Sequence, residues 1–280
     1  MGRWKNGAQC AVMLTFDVDA ETLWLAGDLT NLDKPGLLSI GTYGARVATP
    51  LILALLKENQ LKGTFFVPGW TAETHADIIG VIHAQGHEIG HHGYLHEEPT
   101  QLTAEREEEV LRKGLTALQA ITGAMPAGYR SPAWEFSTNT LGLLQQYEFS
   151  YSSNMMSHFL PWQHAETGII ELPVQWLLDD APFFLFRPSG PSRPIQTAAT
   201  ALEAWTEEFR GIYRYGGLFN LTMHPQLSGR PGRLLMLQQL IDFIRGFPDV
   251  WFATGAEVAN YWREHAENDP QSNQGVRLDS

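Results

Sequence analysis

The chain has 280 residues, of which 44% are hydrophobic and 18% are charged. This balance excludes a disordered or fibrous protein and supplies enough apolar side chains for a sizeable core. The formal net charge is -12 and no segment is rich in lysine and arginine, which argues against a nucleic-acid partner. We expect one domain over residues 1–280, with its core at about residues 11–265, because a single α/β barrel commonly has this length.

Cys10 is the single cysteine, so no intrachain disulfide can form and no oxidising compartment is indicated. The first residues, MGRWKNGAQC, lead directly into a strand-like segment without the apolar stretch of a secretion signal. No uninterrupted apolar run reaches the length of about 18 residues that a membrane span needs. We therefore expect a cytoplasmic protein with no membrane partner.

Predicted strands and helices alternate along the chain. Strands are predicted at residues 11–16, 64–67, 87–90, 169–173, 218–223 and 250–252. Helices are predicted at residues 45–59, 72–84, 137–146, 231–247 and 255–264, and a long helix carries Leu111, Leu115, Leu118 and Ile121 on one face. This alternation predicts a parallel sheet covered by helices and closed, or nearly closed, into a barrel. In such a barrel, chemistry is placed at the C-terminal ends of the strands.

Two carboxylates leave the first predicted strand. In TFDVDAE, Asp17 and Asp19 are separated by one residue, so their side chains share a face if the extended geometry continues through Asp19. One carboxylate could then bind a cation while the other accepts a proton. The alternative is that both are turn formers or helix caps.

Histidines are concentrated in one short segment, because six of the ten lie between His75 and His96. Neutral imidazole is a common ligand of zinc and related metals. Two pairs have four-residue spacing, His83 with His87 and His92 with His96. We favour His92 and His96, because they follow a predicted strand and lie beside Gly93, where a tight loop can bring both rings to one point.

Two further motifs contain residues that could contribute to a site. GYRSPAWEFS contains Arg130, which could hold a catalytic carboxylate ionised, and Trp134, which could wall a pocket. LFNLTMHP ends on His224, a titratable group at the end of a predicted strand. Taken alone, Arg130 could instead be a surface residue in a proline turn, and His224 could be an ordinary histidine without a catalytic role.

The order of these motifs is more specific than any one of them. FDVD, HGYLH, RSPAW and LTMHP, in this order, resemble the successive motifs of the polysaccharide deacetylase family, also called carbohydrate esterase family four. The resemblance extends from Asp17 to His224. It implies the distorted (β/α) barrel of the NodB type and the hydrolysis of a carbon–nitrogen bond other than a peptide bond.

The resemblance also implies a cofactor. The family binds a divalent metal, and the matching ligands in this chain are Asp19, His92 and His96. Zinc is the expected cation, because two imidazoles and one carboxylate leave an open position in a catalytic zinc site.

Acid–base roles follow from the same resemblance. Asp17 would be the general base, oriented by Arg130, and His224 would be the general acid. A backbone N–H near Tyr94 or Leu95 would stabilise the oxyanion together with the metal.

Three departures from the family pattern concern the substrate. The acidic motif is FDVD instead of an adjacent Asp pair, and Asn154, Met155 and Met156 stand where the family has an Asp and a Trp of the sugar groove. An insert, ETLWLAGDLTNLDKPG, follows Asp19 and could cover the pocket. The residues expected to line a small closed pocket are Trp24, Tyr94, Trp134 and Met155.

The chain is therefore predicted to be a metal-dependent hydrolase of an N-acetyl sugar or of a small cyclic amide or imide. It resembles an intracellular branch that includes peptidoglycan-deacetylase-like proteins and cyclic imide hydrolases, and relatives of this branch imply a homotetramer. Two alternatives remain open. One is a non-catalytic binding protein on the same barrel, and the other is a metal-independent hydrolase resembling allantoinase.

Overall fold

The segment CAVMLTFD forms the central strand β1, Cys10–Asp17, which is buried along its whole length. Strands buried on both faces are typical of a parallel sheet covered by helices. The computed structural model describes residues 3–186 and 194–265, and within these ranges the sheet has nine strands. The others are β2 Thr64–Val67, β3 Glu88–His91, β4 Gly128–Tyr129, β5 Tyr151–Ser152, β6 Trp162–Gln163, β7 Ile170–Glu171, β8 Leu218–Met223 and β9 Val250–Phe252.

The strand order is β6-β7-β5-β4-β3-β2-β1-β8, and β9 pairs with the first residues of β1. Every pair is parallel except β6 with β7. The edge strand β8 meets the chain that follows β7: the Nδ2 of Asn220 donates to the carbonyl oxygen of Pro173 at 3.0 Å, and Thr222 forms a β-bridge with Asp179. The sheet therefore curls into a half-barrel, which confirms the predicted α/β fold of the NodB type.

Twelve α-helices cover this sheet within the described residues. The main core lies between the sheet and α3, α5, α9 and α11, where Trp205, Phe209 and Leu240 are fully buried. The helices are α1 Thr22–Leu25, α2 Pro35–Tyr43, α3 Thr49–Glu58, α4 Gly69–Thr74, α5 Ala76–Ala84, α6 Ala104–Thr122, α7 Thr140–Gln146, α8 Ala181–Phe184, α9 Ala198–Tyr215, α10 Pro225–Ser228, α11 Pro231–Arg245 and α12 Gly255–His265.

Two predicted elements differ from the structure. The helix predicted at residues 72–84 is two helices, α4 and α5, separated by His75, whose buried ring lies 2.8 Å from the carboxylate of Glu21. That contact holds the backbone of His75 at φ -123° and ψ 38°, outside the helical region. The strand predicted at residues 169–173 is limited to Ile170–Glu171, since Pro173 has no N–H to donate to a neighbouring strand.

Helix boundaries also differ from the prediction. The helix predicted from Ser137 begins at Thr140, because the Oγ of Ser137 accepts the N–H of Asn139 in a preceding turn. No helix is predicted for α2, which lies partly in the insert after Asp19, or for α9. The Gly and Ser residues of α2 are weak helix formers, so local propensity does not predict this helix.

The stretch Pro35–Glu58, which contains α2 and α3, is the one helical stretch of the described residues that is long and apolar enough to cross a membrane. Its α3 part buries Ile52, Leu53 and Leu56 in the main core. This packing is that of a core helix, so the stretch is weak evidence for a membrane span.

Candidate active site

Asp17 and Asp19 lie at the C-terminal end of β1. Asp17 is the last residue of the strand, and the N–H of Val18 still donates to the carbonyl oxygen of Phe66 in the adjacent strand at 2.8 Å. Both carboxylates are buried, at 2% and 0% exposure. Because the extended geometry continues past the strand end, the two side chains point to the same side of the sheet.

Arg130 binds Asp17 directly. It follows β4, is fully buried, and its Nη1 lies 2.8 Å from Oδ1 of Asp17 and 2.8 Å from Oγ1 of Thr15. Its Nη2 donates to Oγ of Ser153 at 3.0 Å, and its guanidinium lies over the ring of Phe66. A buried guanidinium with this many partners holds the neighbouring carboxylate in one orientation.

His92 and His96 face Asp19. Their Nε2 atoms lie 3.4 Å and 3.8 Å from Oδ1 of Asp19, and one ligand atom from each of the three residues lies within 4.8 Å of the others. Oδ1 of Asp19 is buried and has no hydrogen-bond partner among the described residues. An unpaired buried carboxylate oxygen is costly unless a cation or a donor meets it. The three residues therefore fit a divalent metal.

The ring of His92 is held in one tautomer. Its Nδ1 donates to the carbonyl oxygen of Arg130 at 2.8 Å, which leaves the lone pair of Nε2 directed toward Asp19. Metal-binding imidazoles generally have this second hydrogen bond, because it fixes the ring and raises its basicity.

Opposing effects act on the charges of these three residues. Burial alone would raise the pKa of Asp19, but the facing rings of His96, His92 and His224 lower it below its ordinary value. Burial lowers the pKa of His96 to about 4. Burial would lower the pKa of His92, but Asp17 and Asp19 outweigh burial and raise it above 6.5. Asp19 is therefore ionised and His96 neutral near pH 7, as a metal requires, whereas a metal would compete with a proton for His92.

His224 is held by a carboxylate that the sequence analysis does not identify. Its Nδ1 lies 2.6 Å from Oδ1 of Asp180, and its backbone N–H donates to Oδ2 of the same residue at 2.9 Å. Its Nε2 points to the opposite side, 3.7 Å from Oδ2 of Asp19. Burial disfavours the imidazolium, but Asp180 outweighs this effect and raises the pKa of His224 well above 6.5.

Asp179 and Asp180, with His224, form a second group whose ligand atoms lie within 4.8 Å of one another. Both oxygens of Asp180 accept hydrogen bonds from His224, and Oδ2 also accepts from Ser228. Oδ1 of Asp179 accepts the N–H of Ala181 at 2.6 Å, and burial raises the pKa of Asp179 to about 7. The carboxylate oxygens named here already accept hydrogen bonds within the protein. This group therefore fits a metal less well than the group around Asp19.

Gln226 is a further residue at the site that the sequence analysis does not identify. It is buried, at 1% exposure, and its Nε2 donates to Oδ2 of Asp19 at 3.3 Å. A π-helical turn, Gly44–Ala48, packs against it, and a side chain at Gly44 would approach within 3.0 Å of Gln226. Gln226 thus occupies one oxygen of Asp19 and leaves the other directed toward His92 and His96.

The four predicted pocket residues lie in different surroundings. Trp134 is buried and packs on Trp176, with ring centroids 4.5 Å apart. Trp24 and Met155 are half-buried. The hydroxyl of Tyr94 donates to Glu73 at 2.9 Å, and Lys113 lies over the Tyr94 ring. Within the described part of the chain, these contacts direct Tyr94 toward Glu73 and Lys113, so a place for Tyr94 in the pocket stays a prediction.

The N–H groups expected to meet an oxyanion are occupied. Those of Tyr94 and Leu95 both donate to Oε2 of Glu97, at 3.1 Å and 2.7 Å. Neither is free for an oxyanion in this conformation, because a carboxylate already accepts both hydrogen bonds.

Other histidines of the dense segment have packing roles. Nε2 of His91 lies 3.0 Å from the carbonyl oxygen of Leu111, and Nδ1 accepts the N–H of Gly93. His87 accepts the N–H of Gly63. The structure therefore brings His92 and His96 to Asp19, and it does not bring His83 and His87 to a common site.

Comparisons with known proteins agree with this architecture. The profile of the polysaccharide deacetylase family matches residues 5–152. A peptidoglycan deacetylase of Helicobacter pylori is 33% identical, over 87% of this chain and 93% of that protein. The chain therefore belongs to the polysaccharide deacetylase family, of the NodB type, and is a hydrolase of that kind.

Solved structures show the same likeness. A polysaccharide deacetylase homologue from Mycobacterium smegmatis is 40% identical and superimposes with a TM-score of 0.91 over 94% of this chain and 93% of its own. An allantoinase superimposes with a TM-score of 0.83 over 94% of both chains, at 21% identity, which shows a shared fold alone.

Proposed function

We propose that this chain is a metal-dependent amide hydrolase, in which Asp17 is the general base and His224 the general acid. The observation that carries the proposal is the buried, unpartnered Oδ1 of Asp19, which faces Nε2 of His92 and of His96. Asp19, His92 and His96 would hold the cation. A bound divalent cation would supply Lewis-acid polarisation of the amide carbonyl.

Asp17 is suited to accept a proton. Its Oδ1 is held by Arg130, while Oδ2 lies 3.9 Å from Nε2 of His92, on the side where the metal site lies. One oxygen is thus fixed by an ion pair and the other faces the site. A carboxylate in that arrangement can remove a proton from an attacking water.

His224 is suited to donate a proton. The raised pKa that Asp180 gives it keeps the imidazolium populated near neutral pH. Its Nε2 lies on the Asp19 side of the ring, so a proton on that atom faces the position of a departing nitrogen. The two proton carriers approach the site from different strands, β1 and β8.

The proposed substrate is an amide of about monosaccharide size or smaller. Asn154, which stands where the family resemblance expects a groove residue, is buried and bonded inside the protein: Oδ1 accepts the N–H of Ser131 at 2.6 Å and Nδ2 donates to Oγ of Ser152. The insert after Asp19 begins beside the site: Oγ1 of Thr22 donates to the carbonyl oxygen of Asp19 at 2.7 Å. These features support a narrow pocket in place of an open groove.

A second candidate is an N-acetyl-glucosamine chain. The name of the Helicobacter relative, a peptidoglycan deacetylase, favours it. Both candidates use the same bond cleavage and differ in the size of the group around the amide.

Metal content and rate, measured together, test the assignment of roles. We expect Asp17→Asn to keep the metal and lose most turnover, by about 100-fold or more, because it removes a base and no ligand. Asp19→Asn, the matched control with the same chemical change, should lose both metal and turnover. Release of the metal by Asp17→Asn but not by Asp19→Asn would require the two roles to be exchanged.

A further inference from the structure

The loop from His92 to His96 has an unusual backbone. Gly93 has φ +74° and His96 has φ +63°, both in the left-handed region. Glycine adopts this region readily, but a side chain at Cβ disfavours it. A histidine held there needs surrounding contacts that outweigh the local preference.

Glu97 supplies such contacts on one side of the loop. Its Oε2 accepts the N–H of Tyr94 at 3.1 Å and that of Leu95 at 2.7 Å, and the carboxylate is partly buried. Hydrogen bonds from successive backbone N–H groups to a carboxylate are charge-assisted and strong. The two groups that Glu97 binds lie between His92 and His96, so its carboxylate fixes the part of the chain that joins them.

The other side of the same loop is bound by α4. The N–H of Gly69 donates to the carbonyl oxygen of Gly93 at 3.0 Å, and that of Trp70 donates to the carbonyl oxygen of Tyr94 at 2.8 Å. The carbonyl groups are therefore held by a helix and the N–H groups by one side chain. Within the described residues, Glu97 is the acceptor for both N–H groups. Its hydrogen bonds can be removed by a side-chain substitution, whereas those from Gly69 and Trp70 are made by backbone atoms.

We propose that Glu97 is a positioning residue for the metal site, which presets His96 at its distance from Asp19 and His92. The inference rests on the proposed function, because it assumes that these three residues bind a metal. Glu97 acts through the backbone of the loop and does not touch the ligand atoms. A loop without this brace has more conformations to lose when the metal binds, so the affinity for the metal falls.

The test is the dissociation constant of Zn²⁺ for the whole chain, measured by competition with a chromophoric chelator. Glu97→Ala should weaken binding about 10- to 100-fold, the range usual for residues that support metal ligands. Glu97→Gln, which keeps an acceptor oxygen but loses the charge assistance, should weaken binding clearly less than Glu97→Ala does. Glu98→Ala is the matched control, since Glu98 is exposed and binds Gln101 at the surface.

A second readout separates positioning from general destabilisation. The visible absorption spectrum of Co²⁺ bound to Glu97→Ala should shift relative to the wild type, whereas the spectrum of Glu97→Gln should match it. Should the alanine variant not fold, Glu97→Asp takes its place, because its carboxylate is one methylene too short to reach both N–H groups.

The possible results distinguish a failure of the inference about Glu97 from a failure of the proposed metal-dependent function. A wild-type chain that binds Zn²⁺, with Glu97→Ala equally tight or Glu97→Gln as weak as Glu97→Ala, would overturn this inference alone. The second of those results would show that the charge of Glu97, and not its hydrogen bonds, supports the metal. A wild-type chain that binds no divalent metal would overturn the proposed function and this inference with it.

Discussion

His224 and the carboxylate of Asp180 are joined by two hydrogen bonds, one from the ring Nδ1 at 2.6 Å and one from the backbone N–H of His224 at 2.9 Å. Asp180 is fully buried, so this contact fixes both the ring and the main chain of His224. The free Nε2 is thereby aimed at the site that contains Asp19. Asp180 therefore decides the orientation and the charge of the proposed acid.

Asp180→Asn should lower kcat by about 100- to 10,000-fold, the usual contribution of a positioned proton donor, without releasing the metal. Because Asp180 raises the pKa of His224, the acid is lost as pH rises through that pKa, and the basic limb of the kcat profile should move to lower pH in the variant. The measurement is kcat against pH, with Asp33→Asn as a control at an exposed carboxylate. An unmoved basic limb would refute the role of Asp180.

Arg130 and Asp17 form an ion pair that is almost fully buried. Arg130→Met should lower the free energy of unfolding by about 3 to 5 kcal/mol at pH 7, because it leaves a buried carboxylate without a cation. The double variant Arg130→Met with Asp17→Asn should recover much of this loss, since no uncompensated charge remains. Denaturant titration of the three proteins checks the prediction, and a double variant no more stable than Arg130→Met would contradict it.

His91 should make the fold sensitive to mild acid. Burial lowers its pKa from 6.5 to about 3, so as pH falls below 6.5 the unfolded chain takes up the proton first and stability is lost. The expected loss between pH 6.5 and pH 5 is about 2 kcal/mol. In the metal-free protein, His91→Asn should reduce this slope by about one proton, and His83→Asn, at an exposed position, should leave it unchanged. Equal slopes in both variants would show that His91 is not the responsible group.

Substrate size is tested by a ratio of rates. A narrow pocket predicts a higher kcat/KM for a cyclic imide such as succinimide than for an N-acetyl-glucosamine oligomer under one metal and pH condition, because that ratio measures discrimination directly. Faster hydrolysis of the oligomer would contradict the narrow pocket and favour a polysaccharide substrate.

Much of the fold follows from local patterns in the sequence. The strands Thr64–Val67, Leu218–Met223 and Val250–Phe252 have the predicted bounds, because apolar runs flanked by polar or turn residues define buried strands well. The same patterns place Asp17, His92 and His224 at strand ends. Parallel strands then bring these ends together without any long-range information.

Other features depend on contacts between distant residues. Asp180 and His224 are 44 residues apart, and the only local signal was a pair of acidic residues in LLDDAP. The division between α4 and α5 depends on the pairing of His75 with Glu21, which lies 54 residues earlier. Such pairings follow from the curled sheet and not from local propensity.

Turnover of an amide substrate before and after chelation, with the metal content measured in the same samples, tests the central claim most directly. We predict about one divalent metal per chain as purified, loss of activity when a chelator removes it, and recovery on addition of Zn²⁺. Asp19→Asn should behave like the chelated protein throughout. A wild-type protein that contains no metal and keeps full activity after chelation would contradict the claim.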